Sequence, residues 1–469
     1  MKRGSIVGAA MAMLLAAAVT PVAAVPTETS RSIVRIKSTL VGQTVIQAIC
    51  SQFNCQVLRS LDGVPGETGP SSLFLVRNLP APSWLVNYDL LGIEAVEPDL
   101  LATVADWDES WYSQQATAAV LDRLQDRSPV SYFGTTPWRS YLEQPAAGIV
   151  RVSEAHCALR ATGGGTVAVI DTGVDLSHPT LAPVLTLGYD FTRDVEGGNE
   201  RADVDQATAA VLDRVFGVNQ ATAAVLDQAT AAVLDGGQHT HFGHGTMVAG
   251  MVHLAAPAAG IMPLKAFDSR GQGYTSDIIR SILYAVRNGA KVLNMSFSRS
   301  TPSNEIKRAL DYATSQGVIA VASAGNDGES ALRYPAAYEN VMGVASTSNS
   351  DVRSPFSNYG ADLVWVSAPG EGVITTYPWG SFAAVWGTSF STPLVAGAAA
   401  LLAGLDESAN QGQAAALIGH AQPLTPELGQ GRLDLVQAVT AARALWPNAA
   451  ESLVPATCDA YGVDWSEEP

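Results

Sequence analysis

Apolar residues recur along this chain in short blocks whose lengths and flanks already predict most of its elements. The first block, MAMLLAAAV, follows a basic start (Lys2, Arg3) and precedes small residues at Val22 and Ala24. That order is the order of a secretory signal peptide cut after Ala24 rather than of an uncleaved membrane anchor, because the apolar run is short. No later stretch reaches the ~20 apolar residues a membrane-spanning helix needs. Between residues 33 and 104, strand-like runs (SIVRIKS, CQVLRSL, SLFLVRNL, IEAVEPDLLATV) alternate with two helical stretches, the first ending near Cys50. The alternation predicts a small β-α-β-β-α-β unit. Further on, GTVAVID is almost wholly apolar, as a strand buried on both faces of a parallel sheet would be, and it ends on Asp171. GTMVAGMV after His244 is a small-residue helix pattern that allows close packing. STPLVAGAAALLAGL after Ser389 is an apolar core helix, in which Pro393 is tolerable because it falls near the first turn.

Composition narrows the class. Of 469 residues, 47% are hydrophobic, enough for a large core, and the formal charge of −17 argues against a nucleic-acid partner. The octapeptide QATAAVLD occurs at 115–122, 206–213, 220–227 and 228–235. Different surroundings would not each demand the same eight residues, so the copies read as recent duplications and not as a repeat fold. Their Ala and Leu content favours short surface helices. Export would place the four cysteines in an oxidising compartment. Cys50 with Cys55 and Cys157 with Cys458 is the natural pairing, although four cysteines allow three connectivities.

The candidate chemistry lies in three distant motifs: VAVIDTGVD around Asp171, HFGHGTMVAG around His244 and WGTSFSTPLVAG around Ser389. A serine hydroxyl is a poor nucleophile at neutral pH; it needs an imidazole to take its proton and a carboxylate to fix the tautomer of that imidazole. The order Asp, His, Ser is one of three known chain orders for this constellation. His239, His241 and His244 form a competing cluster that could be read as metal ligands, which would make the chain a metal-dependent hydrolase.

Taken with the intervening segments, these motifs resemble the subtilisin-like (subtilase) family over roughly residues 150–445. KAFDSRGQGYTSDIIRSILYAVRNGAKVLNMSFS is similar to its strand, helix and strand segment, and VIAVASAGND to the strand that ends in its oxyanion asparagine. The resemblance implies a doubly wound α/β domain with a mainly parallel sheet, and a serine endopeptidase acting through an acyl-enzyme. It implies Asp171, His244 and Ser389 as the triad and Asn326 as oxyanion donor. Gly271, Gln272 and Gly273 match one substrate-pairing strand and Ser296, Phe297 and Ser298 the other, with Ser323, Ala324 and Gly325 also in the substrate site. Two features depart from or bear on the pattern. Ser298 stands where the family usually has glycine, which would crowd the first specificity pocket. Arg333 falls near the base of that pocket, where it either favours an acidic or polar residue or points to solvent.

The expected organisation follows: signal peptide 1–24; a propeptide-like, ferredoxin-like α+β domain 25–104; a linker and maturation region 105–150 holding one octapeptide; the catalytic domain 151–447 with the insertion 206–235; and a tail 448–469. The resemblance further implies polypeptide substrates, the chain's own propeptide as a partner, no stable membrane span after signal removal, and a monomer, secreted or periplasmic. The chemistry requires no cofactor and no metal; calcium is common in the family as a structural ion, but no oxygen-rich loop here names ligands. The alternative is a peptide-binding, protease-like protein impaired by the repeats ahead of His244.

Overall fold

The computed structural model describes residues 31–37, 42–63, 71–79, 91–104, 124, 126–204, 239–449 and 458. The expected signal peptide, all four octapeptides and all of the tail but 448, 449 and Cys458 lie outside the described residues. The N-terminal unit comprises β1 (Arg31–Ile36), α1 (Gly42–Phe53), β2 (Gln56–Ser60), β3 (Leu73–Arg77) and β4 (Ile93–Pro98), paired antiparallel in the order β2-β3-β1-β4. Alternation sends Val34, Ile36, Phe74 and Val76 toward Ile46 and Ile49 of α1. Ile33, Leu73 and Leu75, on the opposite face, join the core of the larger domain.

The last apolar run of this unit, IEAVEPDLLATV, divides after Pro98. Its second half becomes β5 (Leu101–Val104), which leaves the sheet and enters a three-stranded one with strands of the larger domain. Asp99 marks the break: its backbone N–H donates to Arg31 O (3.0 Å) while its side chain turns to a helix end described below.

The larger domain is built on β6 (Thr166–Asp171), β7 (Tyr189–Asp190), β8 (Val195–Glu196), α2 (His244–Ala255), β9 (Gly260–Lys265), β10 (Gln272–Tyr274), α3 (Thr275–Arg287), β11 (Val292–Met295), β12 (Phe297–Ser298), α4 (Asn304–Ser315), β13 (Ile319–Ser323), β14 (Met342–Thr347), β15 (Val366–Pro369), β16 (Val373–Tyr377), β17 (Ser381–Val385), α5 (Thr388–Leu405), α6 (Gln411–Ile418) and α7 (Leu435–Leu445). Eight strands form one sheet in the order β15-β14-β13-β11-β6-β9-β7-β8, parallel throughout except at the edge pair β7–β8. Helices α2 and α5 cover one face and α3 and α4 the other, each over its own apolar layer. This is the doubly wound arrangement in which sites form at the carboxyl ends of the strands.

α5 is apolar and long enough to cross a membrane, but 94% of it is buried inside the domain. Its apolar residues contact α2 and the sheet because small side chains allow close approach: a Cβ on Gly397 would lie 2.4 Å from Ala255 Cβ. Residues 126–150, expected as the end of a linker, are packed rather than free. Tyr132 and Tyr141 are fully buried and donate their hydroxyls to Leu254 O (2.8 Å) and Gly250 O (2.6 Å) on α2. Disulfides join Cys50 to Cys55 and Cys157 to Cys458, the latter across a sequence separation of 301 residues.

Candidate active site

Asp171 ends β6, the strand whose Val167, Ala168, Val169 and Ile170 are all buried. His244 opens α2. The two meet at the carboxyl edge of the sheet, where His244 Nδ1 lies 2.7 Å from Asp171 Oδ1, with both side chains buried. A ring nitrogen at that distance from a carboxylate donates its proton to it, so the proton sits on Nδ1 and leaves Nε2 with a lone pair. Among the described residues Nε2 has no hydrogen-bond partner. The helix can begin so close to β6 because residue 245 is glycine: a Cβ there would stand 1.9 Å from Gly173 O.

Ser389 lies in the first turn of α5. The ring of its neighbour Phe390 is 5.5 Å from the His244 ring, which brings the serine turn to the imidazole. No hydrogen bond joins the two functional side chains in this state; Ser389 Oγ donates instead to Ser296 O (3.2 Å). Such bonds are often long in the unliganded state and tighten around substrate. The Ser296 hydroxyl in turn donates to Ser389 O (2.9 Å), tying the residue before β12 to the serine turn.

Asn326 follows β13 on the loop Ser323–Ala324–Gly325. Its Oδ1 accepts both the Thr388 N–H (2.9 Å) and the Thr388 hydroxyl (2.8 Å), which fixes the amide plane and leaves Nδ2 as a donor on the other side of the amide. Gly387, at φ 138°, precedes α5 in a backbone conformation that residues with a Cβ rarely adopt. No motif marks Asn358, yet it holds this loop: Oδ1 accepts from Asp327 N and Glu329 N (3.0 Å each), and Nδ2 donates to Ala324 O (3.1 Å).

The two strands matched to substrate pairing flank β5. Gln272 and Gly273 pair antiparallel with Thr103 and Ala102, while Phe297 and Ser298 pair with Val104 and Thr103. Val104 N–H donates to Gly271 O (2.8 Å). Ala102 and Val104 are buried in the cleft, and Leu101 faces outward at half exposure. Ser298 is part-exposed beside Thr103. Arg333 does not point to solvent: its Nε donates to Asp327 (3.0 Å) and its side chain is mostly buried. An arginine so paired has its charge largely offset. Of the histidine cluster, His239 Nδ1 lies 2.6 Å from Ser269 Oγ and His241 is buried, which pushes its pKa down to about 4. Among the described residues no group of three His, Cys, Asp or Glu could hold a metal ion.

The sheet is doubly wound with these groups at its carboxyl edge, and similarity places the chain more closely. The model of the Subtilase family matches residues 162–441. The chain is 36% identical over 281 residues to thermitase of Thermoactinomyces vulgaris, covering 60% of this chain and 90% of that protein. It is 42% identical over 169 residues to subtilisin BL of Lederbergia lenta, covering 34% of this chain and 62% of that one. A crystal structure of a lanthipeptide protease aligns over 63% of this chain and 97% of its own, at 23% identity and a TM-score of 0.48. The chain belongs to the subtilase family. It is a serine endopeptidase, a hydrolase whose substrates are polypeptides.

Proposed function

We propose that Asp171, His244 and Ser389 carry the hydrolysis, with Asn326 as oxyanion donor. Ser389 Oγ attacks the scissile carbonyl carbon while His244 Nε2 takes its proton; the tetrahedral oxyanion accepts hydrogen bonds from Asn326 Nδ2 and the Ser389 N–H. The C–N bond then breaks as the imidazolium returns the proton to the leaving amine, and water releases the acyl group by the reverse steps. Asp171 keeps the imidazole oriented and stabilises its charged form. The observation that carries this reading is the 2.7 Å contact between His244 and Asp171 with Nε2 left unpartnered beside the serine turn.

Substrate binds extended, as a strand between β10 and β12, read mainly through main-chain hydrogen bonds. β5 supports this by lying there in antiparallel register with both. We propose further that residues 25–104 are a propeptide whose last strand occupies the cleft until maturation, and that the cut falls within two residues after Val104. The basic-apolar-small start supports export through a signal peptide cut after Ala24. The impaired-binder alternative draws no support from the site, where the His244–Asp171 contact is intact. Purifying the chain with and without Ser389→Ala and sequencing the N-terminus tests the reading. A mature N-terminus at Ala105 or Asp106, absent from the variant, is expected; identical processing in both would contradict self-maturation.

A further inference from the structure

We propose that Glu200 is a positioning residue for His244: its carboxylate clamps the first turn of α2 to the chain that follows Asp171. The proposal rests on the reading of Asp171 and His244 as catalytic groups. Glu200 is fully buried and does not belong to either segment that carries those residues. Its Oε1 accepts the Gly243 N–H (2.7 Å) and the Thr172 hydroxyl (2.5 Å). Its Oε2 accepts the Thr246 N–H (3.2 Å) and the Thr246 hydroxyl (2.5 Å). Gly243 precedes α2 and Thr246 lies in its first turn, so one carboxylate takes up two N–H groups that the helix itself leaves without acceptors. Burial raises the Glu200 pKa to about 7; in its ionised form the carboxylate also stands at the positive end of the helix dipole.

Thr172 links this clamp to the triad. Its N–H donates to Asp171 Oδ1 (2.7 Å) and its hydroxyl oxygen accepts the Gly245 N–H (2.9 Å). The same short turn, Glu200–Asp203, contributes a second carboxylate: Asp203 accepts from the buried Lys265 Nζ (2.6 Å), which also donates to Thr172 O (2.8 Å). The backbone of Thr172 is therefore held by Lys265 and its side chain by Glu200. All of these groups precede residue 206 or follow residue 238, so the seating of His244 has a source outside the inserted octapeptides at 206–235. An activity that survives the insertion is then expected and not anomalous.

The clamp predicts a graded series. Glu200→Gln keeps the shape and the Oε1 acceptor but turns an N–H₂ toward the Thr246 N–H; Glu200→Ala removes all four acceptor contacts. Displacing a catalytic group by ~1 Å costs about 10²-fold in rate. On the matured protein we expect kcat to fall by about 10²-fold for Glu200→Ala and by a smaller factor for Glu200→Gln, with KM within about twofold and fluorophosphonate labelling slowed in parallel. A role in packing alone would leave the isosteric Gln variant at wild-type kcat. Wild-type kcat in folded Glu200→Gln overturns the proposal, and this holds even where Glu200→Ala fails to fold. Ser389→Ala is measured alongside: if it remains active, the triad reading fails; if it is inert while Glu200→Gln is fully active, only the clamp fails.

Discussion

At the scale of single residues, the site joins groups whose sequence context is conspicuous to groups whose context is not. Asp171, His244, Ser389 and Asn326 are each legible because a glycine or another small residue stands beside them, and the reason is visible: Gly245 permits the approach of α2 to β6, and Gly387 supplies the φ of 138° from which α5 starts. Glu200 and Asn358 lie in polar loops that read like any solvated turn. Their roles come from contacts with chain 28 to 46 positions away, which no local pattern encodes. Arg333 was legible as a residue near the pocket but not as a partner of Asp327, since pairing depends on how the loop folds back. The fixed amide of Asn326 yields a direct expectation. Asn326→Leu removes the donor without touching the imidazole, so kcat should drop by about 10²–10³-fold with KM nearly unchanged. Steady-state kinetics on a peptide substrate checks this, and a loss confined to KM would show that Asn326 serves binding instead.

Elements show where periodicity suffices and where it does not. The buried strands and the apolar helix after Ser389 follow directly from their patterns, as does the alternation within β1 and β3. The division of IEAVEPDLLATV does not, because both halves are strand-like and only tertiary contacts separate them. Two carboxylates near the division explain it. Asp99 accepts from Ser276 N (2.8 Å) and Ser276 Oγ (3.0 Å) at the start of α3 and pairs with Arg31 (2.7 Å). Glu97 accepts from Ser303 Oγ (2.5 Å), Asn304 N (3.1 Å) and Glu305 N (3.3 Å) at the start of α4. Each acts as a cap supplied by the N-terminal unit to a helix of the catalytic domain, and together they aim β5 into the cleft. Losing a cap costs about 0.5–2 kcal/mol. Asp99→Ala, placed in an otherwise full-length Ser389→Ala chain, should therefore speed hydrogen exchange at Ala102 and Val104 several-fold. Unchanged exchange would mean that β5 is held by its strand pairing alone.

For the molecule as a whole, burial of histidines sets a pH limit. His156 and His253 are fully buried with pKa values driven down by desolvation to about 4 and about 3, and His178 is lowered for the same reason. Among the described residues His253 has no hydrogen-bond partner on either ring nitrogen. Because the folded values lie below the unfolded value of about 6.5, the unfolded chain binds these protons first as pH falls. Stability is unaffected above about pH 6.5 and declines below it by roughly 1.4 kcal/mol per pH unit per histidine until the folded pKa is reached. The unfolding temperature should accordingly drop between pH 6.5 and 4, and His253→Leu should flatten that slope; an unaltered slope would assign the acid limit to other groups. The central claim is that three side chains drawn from β6, α2 and α5 act as one nucleophilic unit. Its most direct test is a fluorophosphonate probe on the matured protein with the adduct mapped by mass spectrometry. The account predicts one adduct, on Ser389, abolished by Ser389→Ala and strongly slowed by His244→Ala. Adduct formation elsewhere, or labelling of Ser389 that is indifferent to His244, would contradict it.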